Sequence, residues 1–186
     1  MATAVCKLES ISPYSQSKHY EVDKLEKESN QDYEKRTWRE RCHADANGEL
    51  FIPPMAFKNS IAEAAKYLSE TIKGKGKATY TKHFEAGVMV MEPLPLGIKK
   101  ADVLGEWLFV PSDGKRGSGS RVSKCFPCIQ SWKGEVEFHI LDETITEDVF
   151  RRHLEQCGKF IGLGRFRPRN NGYYGRFKVN SIKWIK

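Results

Sequence analysis

Residues 158 to 179 gather the residue types that hold a polyanion. Glycine recurs at 158, 162, 164, 172 and 175, and arginine at 165, 167, 169 and 176. Phe166, Tyr173, Tyr174 and Phe177 lie between them. Glycine lets a backbone turn sharply and approach a ligand closely. Basic side chains neutralise phosphates, and aromatic rings stack on bases. In an extended chain Arg165, Arg167 and Arg169 would share one face. Residues 159 to 186 hold eight Lys or Arg and no Asp or Glu, out of 31 basic and 24 acidic residues in the chain. The remainder is therefore almost neutral, and the whole net charge of +7 belongs to this tail. The chemistry this implies is the gripping of a nucleic acid with stackable bases. A solvated, glycine-rich hairpin with ordinary surface arginines is the plainer alternative.

Other reactive residue types are sparser. Histidines stand at 19, 43, 83, 139 and 153. A metal-independent RNA nuclease would need one as a general base, and His43 and His83, in polar stretches, are the candidates. His139 reads as a strand residue and His153 as part of an apolar helix face. No spacing among them specifies catalysis, so binding without cleavage is the expectation. The five cysteines, at 6, 42, 125, 128 and 157, form no disulfide framework. Cys125-Phe126-Pro127-Cys128 is a lone CxxC without the second pair that zinc requires, and its flanks read as extended chain. No metal and no cofactor is expected. Lys73-Gly74-Lys75-Gly76-Lys77 has phosphate-loop composition but not the GxxxxGK[ST] spacing.

The elements that must position these residues can be traced along 186 residues of soluble, globular composition, 39% hydrophobic and 30% charged. Residues 3–12 alternate as a first strand. Residues 14–36 form a polar arm with at most a short exposed helix. Thr37 to His43 alternates as a strand, Asn47-Gly48 marks a turn, and residues 50–52 leave it as a strand. Phe57, Ile61, Ala64, Ala65, Leu68 and Ile72 make one stripe of a helix spanning 55–73, with Pro53 and Pro54 before it and Gly74 after it. Strands follow at 86–91, 107–110, 122–132 and 135–141, and residues 111–121 form a basic loop. Thr146 caps a second helix that ends at Gly158, and residues 174–184 form the last strand. This order predicts an α+β chain: a ferredoxin-like or RRM-like antiparallel sheet with two helices on one face and large loop insertions. Residues 1–186 are expected to be a single nucleic-acid-binding domain, with the arm 14–36 and the basic loop 111–124 as insertions. No apolar run approaches the roughly 18 residues of a membrane span. The start lacks a signal-peptide pattern, so a cytoplasmic protein is expected.

The stretch Ile52-Pro53-Pro54-Met55-Ala56-Phe57-Lys58, opening a helix, resembles the entry motif of the RAMP superfamily, the repeat-associated RNA-binding proteins of CRISPR systems. Residues 158–175 resemble the glycine-rich loop of that superfamily, and the loop at 111–124 is similar to the thumb of its backbone subunits. The resemblance spans residues 50–186. It implies an RRM-like fold that grips single-stranded RNA or DNA without sequence preference. A stand-alone phage or mobile-element relative fits the same residues. The strand would be contacted by Lys115, Arg116, Arg121 and Lys124 on the thumb. On the glycine-rich side the contacts would be Arg165, Arg167, Arg169, Tyr173, Tyr174, Arg176 and Lys178. Further copies of the chain or CRISPR-type subunits are the expected protein partners. An RNA-processing endonuclease and a factor that mimics a CRISPR subunit are the alternatives.

The run of Gly and Ser around Lys115, Arg116 and Arg121 is expected to order on a ligand. Limited proteolysis should cut first within residues 112–121, and bound oligonucleotide should protect them. Equal cutting with and without oligonucleotide would count against a gripping loop.

Overall fold

The computed structural model describes residues 1–115, 117 and 119–186. In chain order its strands are β1 (Ala2–Ser10), β2 (Tyr14–Ser15), β3 (Glu49–Ile52), β4 (Val88–Val90), β5 (Leu94–Lys99), β6 (Leu104–Pro111), β7 (Arg121–Ile129), β8 (Lys133–Ile140) and β9 (Phe177–Ile185). Its α-helices are α1 (Asn30–Thr37), α2 (Pro54–Leu68), α3 (Thr81–Gly87) and α4 (Glu147–Gln156).

The central sheet has the order β4-β8-β1-β9, every neighbouring pair antiparallel. With α2 between β1 and β4, and α4 between β8 and β9, this is the ferredoxin-like β-α-β-β-α-β arrangement. Alternation decides its faces. Ala4, Cys6 and Leu8 point inward and are buried, and register sets Ala4 opposite both Phe138 and Trp184. Both helices cover this face. Phe57 of α2 meets Phe138 and Trp132, each at 6.4 Å and edge-on. Phe150 of α4 meets Phe138 at 5.3 Å and Trp184 at 5.9 Å. Such offset ring contacts add to the burial of the rings themselves.

The opposite face presents Thr3, Val5, Lys7, Met89, Glu135, Glu137, His139, Ser181 and Lys183. Among the described residues it carries no Phe, Tyr or Trp. The stacking surface of RNA-recognition sheets is thus missing from the place where this topology usually holds it.

The insertions build two further small sheets, β2-β7-β6 and β3-β5. β6 and β7 form a hairpin in continuous register from Leu104 opposite Cys128 to Pro111 opposite Arg121. Its connection holds Lys115, while Arg116 lies outside the described residues. Leu94–Lys99 is an edge strand, which tolerates its proline. The polar arm is more built than its composition implies, because Tyr14 and Ser15 pair with Ile129 and Cys128.

Three local expectations are corrected. Residues 37–41 are not a strand: α1 runs on into a tight 3-10 turn, Trp38–Arg41. Their sequence alternates at period two, yet Glu34 and Arg41 stand seven apart, on one helical face. The first long helix ends at Leu68, where Ser69 turns left-handed at φ 48°. Ile72 extends the apolar stripe but is buried from the loop beyond. Residues 81–87 form α3, whose His83 Nδ1 lies 2.6 Å from Asp142. The helix takes in Ala86 and Gly87 of the strand expected at 86–91, which starts only at Val88.

Glu34 joins the arm to the hairpin. Its carboxylate is 1% exposed. It receives the Arg41 guanidinium, Lys124 Nζ at 3.1 Å and the Cys125 backbone N–H at 2.8 Å. Burial alone would raise its pKa, but those donors together hold it below the ordinary 4.5. The stabilisation is therefore complete above the unfolded value and lost as pH falls through the lower folded one. Glu34→Gln should cost roughly 1–3 kcal/mol at neutral pH. Urea melts should show the variant and the wild type converging below pH 4.5. An unchanged gap at low pH would refute the assignment.

Candidate nucleic-acid interface

The glycine-rich segment folds back on itself and lies against residues 11–16. Leu163 N–H donates to Gly175 O at 3.0 Å, and Gly175 N–H donates to Pro13 O at 2.7 Å. Arg165 N–H donates to Ser15 O at 2.9 Å, and Tyr174 N–H to Phe166 O at 3.1 Å. Ser60 of α2 ties the segment from the other side by donating to Gly162 O at 2.6 Å. Two glycines are required by this course. Gly164 at φ 74° sits against Ser15 O and the Tyr14 ring, and a Cβ on Gly175, at φ 80°, would collide with the Leu163 carbonyl. Gly158 is not the helix cap expected of it. α4 widens instead into a π-type turn, Cys157–Ile161, and Gly158 is buried under the Phe177 carbonyl.

The structure separates the arginines that the sequence groups. Pro168–Asn170 is a 3-10 turn, so Arg165, Arg167 and Arg169 do not share an extended face. Arg165 turns inward. Its guanidinium lies 3.8 Å from the Phe126 ring centroid, and Nε donates to Ser15 Oγ at 3.2 Å. Its Nη2 is buried without an acceptor among the described residues. Burial lowers the Arg165 pKa from its ordinary value, although an arginine stays protonated. Arg167 and Arg169 both bind Glu63 of α2, at 2.6 and 3.1 Å.

The remaining residues singled out from the sequence divide in the same way. Tyr174 is buried and its hydroxyl donates to Glu106. Tyr173 is 60% exposed. Arg176 donates to the carbonyls of Tyr173 and Lys159, each at 3.3 Å. Lys178 pairs with Glu9 at 3.1 Å, and Lys124 with Glu34. Arg121 donates to Phe109 O at 3.1 Å at the exposed end of the hairpin, near Lys115.

A groove of about 440 Å³ opens between the glycine-rich segment and the start of α2. Gly164, Arg165 and Arg167 form one wall, and Pro53, Met55, Ala56 and Asn59 the other. His43 closes one end. No acidic residue lines it. No side chain caps the start of α2, so the partial positive charge of the helix end adds to the arginines. Burial, then the nearby Lys18, lowers the His43 pKa, which leaves the ring neutral at pH 7. A larger concavity, about 660 Å³, is of a different character: Asp142, Glu143, Glu147 and Asp148 line it with Met1 and Lys186, over Ile140, Ile145 and Trp184. His83, bound to Asp142, belongs on that side of the molecule.

His139 sits on the open sheet face, and His153 is buried, stacked on Phe84 at 4.4 Å. The five cysteines are free and buried. Among the described residues, no His, Cys, Asp or Glu side chains are grouped to hold a metal ion, and no helix is long and apolar enough to cross a membrane.

No family model matches the chain, and no curated protein matches it. Among the solved structures that resemble it are these two. One is the crystal structure of Cmr6 from Pyrococcus furiosus, at 14% identity and a TM-score of 0.47, covering 96% of this chain and 99% of that one. The other is a chain of a CRISPR RNA-guided surveillance complex, at 10% identity and a TM-score of 0.42, covering 98% of this chain and 68% of that one. Both scores lie below 0.5, and neither likeness assigns this chain a family or a function.

Sequence reasoning missed the groove because its lining comes from four separate segments. The one signal available was the pair Pro53-Pro54, which starts a helix without a capping side chain. Gly175→Ala should lower stability by more than about 1 kcal/mol, since it combines a left-handed φ with a backbone collision. Gly119→Ala, with nothing near its added Cβ, should leave the melting temperature unchanged. Equal effects of the two changes would show that the segment is not held as described.

Proposed function

We propose that the chain binds single-stranded nucleic acid, RNA or DNA, through the groove beside its glycine-rich segment, largely without reading sequence. The observation that carries this reading is the acid-free lining of that groove: two arginines, a histidine and an uncapped helix start meet there. Donors of this kind contact phosphates, which are the same in every sequence. The concentration of the net charge in residues 159–186 supports the same reading, as does the hairpin that carries Lys115 and Arg121. Residues 1–186 would then act as one RRM-like binding domain, with the arm and the hairpin as its insertions. Strand contact moves from the open sheet face to the loop side, because the sheet face has no stacking rings. A RAMP-type protein working on RNA beside CRISPR-type subunits, or beside copies of itself, accommodates this chemistry. Its supports in the chain are the ferredoxin-like order and the Ile52-Pro53-Pro54 entry into α2.

His43 favours a second reading. It is neutral at pH 7 and lies in the groove, where a general base for ribose cleavage would have to be. One experiment separates the two. Labelled single-stranded RNA, single-stranded DNA and duplex are titrated by fluorescence anisotropy at several salt concentrations, with and without chelator. Binding should weaken with salt, with a slope in log affinity against log salt of about −0.7 per phosphate neutralised. Arg167→Ala with Arg176→Ala should flatten that slope. An affinity independent of salt would end the proposal. Metal-independent RNA cleavage that disappears in His43→Ala would establish the second reading. Neither binding nor cleavage would leave a protein-interaction factor.

A further inference from the structure

Tyr67, on the last turn of α2, and Phe160, in the wide turn after α4, meet on the surface. Their ring centroids are 5.9 Å apart and tilted by 33°. Each ring nevertheless stays about half in water, at 51% and 47% exposure. Their surroundings are cationic. Lys66 and Lys159 precede them in the chain. The Arg169 guanidinium lies 5.7 Å from the Tyr67 ring centroid. Arg176 bonds to the Lys159 carbonyl and also to that of Tyr173. Of the carboxylates nearby, Glu63 is taken up by Arg167 and Arg169, and Glu85 lines a depression together with Lys66 and Arg169. Among the described residues, Lys159 and Arg176 form no ion pair with a carboxylate.

We propose that Tyr67 and Phe160 form a stacking subsite for an unpaired nucleobase, with Lys159 and Arg176 holding the adjoining phosphates. This rests on the strand-binding reading of the groove at the start of α2 and adds, at the other end of that helix, what the groove lacks, a surface for the base. Exposed rings beside unpaired cations match the two halves of a nucleotide, an apolar face and an anion. Two half-exposed rings fall far short of the roughly 800 Å² per partner that a stable protein interface buries, whereas one base covers them. A base pair within a duplex already has both its faces stacked, so the subsite selects single strands. Stacking tolerates any base, in keeping with recognition that does not depend on sequence.

The test compares a labelled 12-nucleotide oligo(dT) with a strand of the same length built from abasic sites, at fixed salt. The wild type should prefer the base-bearing strand by about tenfold or more, the scale of one stacked base. Phe160→Leu and Tyr67→Leu should each remove much of that preference while leaving abasic affinity, salt slope and melting temperature in place. Phe160→Trp should retain it. Equal wild-type affinity for the two strands overturns the subsite and leaves strand binding by charge intact. Binding to neither strand, and to no oligo(U) of the same length, overturns both readings. Loss of abasic affinity and of stability in the Leu variants assigns the rings a structural role and overturns the subsite. An unchanged preference in those variants also overturns it, and leaves a protein partner as the occupant of the patch.

Discussion

Residues 11–16 receive hydrogen bonds from one flank and give strand pairing to the other, and the rest of the molecule depends on that double use. β1 leaves the central sheet at Ser10, and four residues later Tyr14 and Ser15 pair with β7 of the hairpin sheet. The carbonyls of Pro13 and Ser15 meanwhile accept the N–H groups of Gly175 and Arg165. Buried backbone groups must find partners. A segment shared in this way locks the glycine-rich segment, the ferredoxin-like sheet and the hairpin into one geometry. Glycine is needed at 164 and 175 because the two backbones come too close for a Cβ.

That lock also explains why the arginines of one short stretch have different fates. Arg165 is drawn onto Phe126, which belongs to β7. Arg167 and Arg169 are drawn to Glu63, which the α2 helix presents beside the loop. Part of the positive charge thus stabilises the loop that carries it. Among the described residues of the C-terminal tail, Lys159, Arg165, Arg176, Lys183 and Lys186 form no ion pair with a carboxylate, Arg165 being held by Phe126 and Ser15. The molecule has an acid-free groove and, elsewhere, a concavity lined by four carboxylates. Under the strand-binding reading, this contrast would steer a polyanion towards the first.

The central sheet and its two helices were legible in the chain because each follows a simple period. Ala4, Cys6 and Leu8 alternate, as do Val136, Phe138 and Ile140, and the two long helices carry continuous stripes. Thr146 caps α4 as its type predicts, accepting from Val149 N–H at 3.5 Å. α1 was foreshadowed only as a short helix in the arm and α3 was not legible, because each has few apolar residues and is held by polar contacts to distant segments: Glu34 to β7, and His83 to Asp142.

By itself, then, the amino-acid sequence determined the order of the ferredoxin-like elements, the faces of β1 and β8, and the segregation of positive charge into the last 28 residues. These depend on local periodicity and on composition, which need no knowledge of neighbours. Only the tertiary structure decided which of those charges are free, that Tyr174 is buried while Tyr173 is exposed, and that Tyr67 meets Phe160. The reason is physical. A side chain's partner is set by which segments the fold brings within a few ångströms, and Glu63, Phe126 and Glu106 lie far along the chain from the arginines and tyrosine they hold.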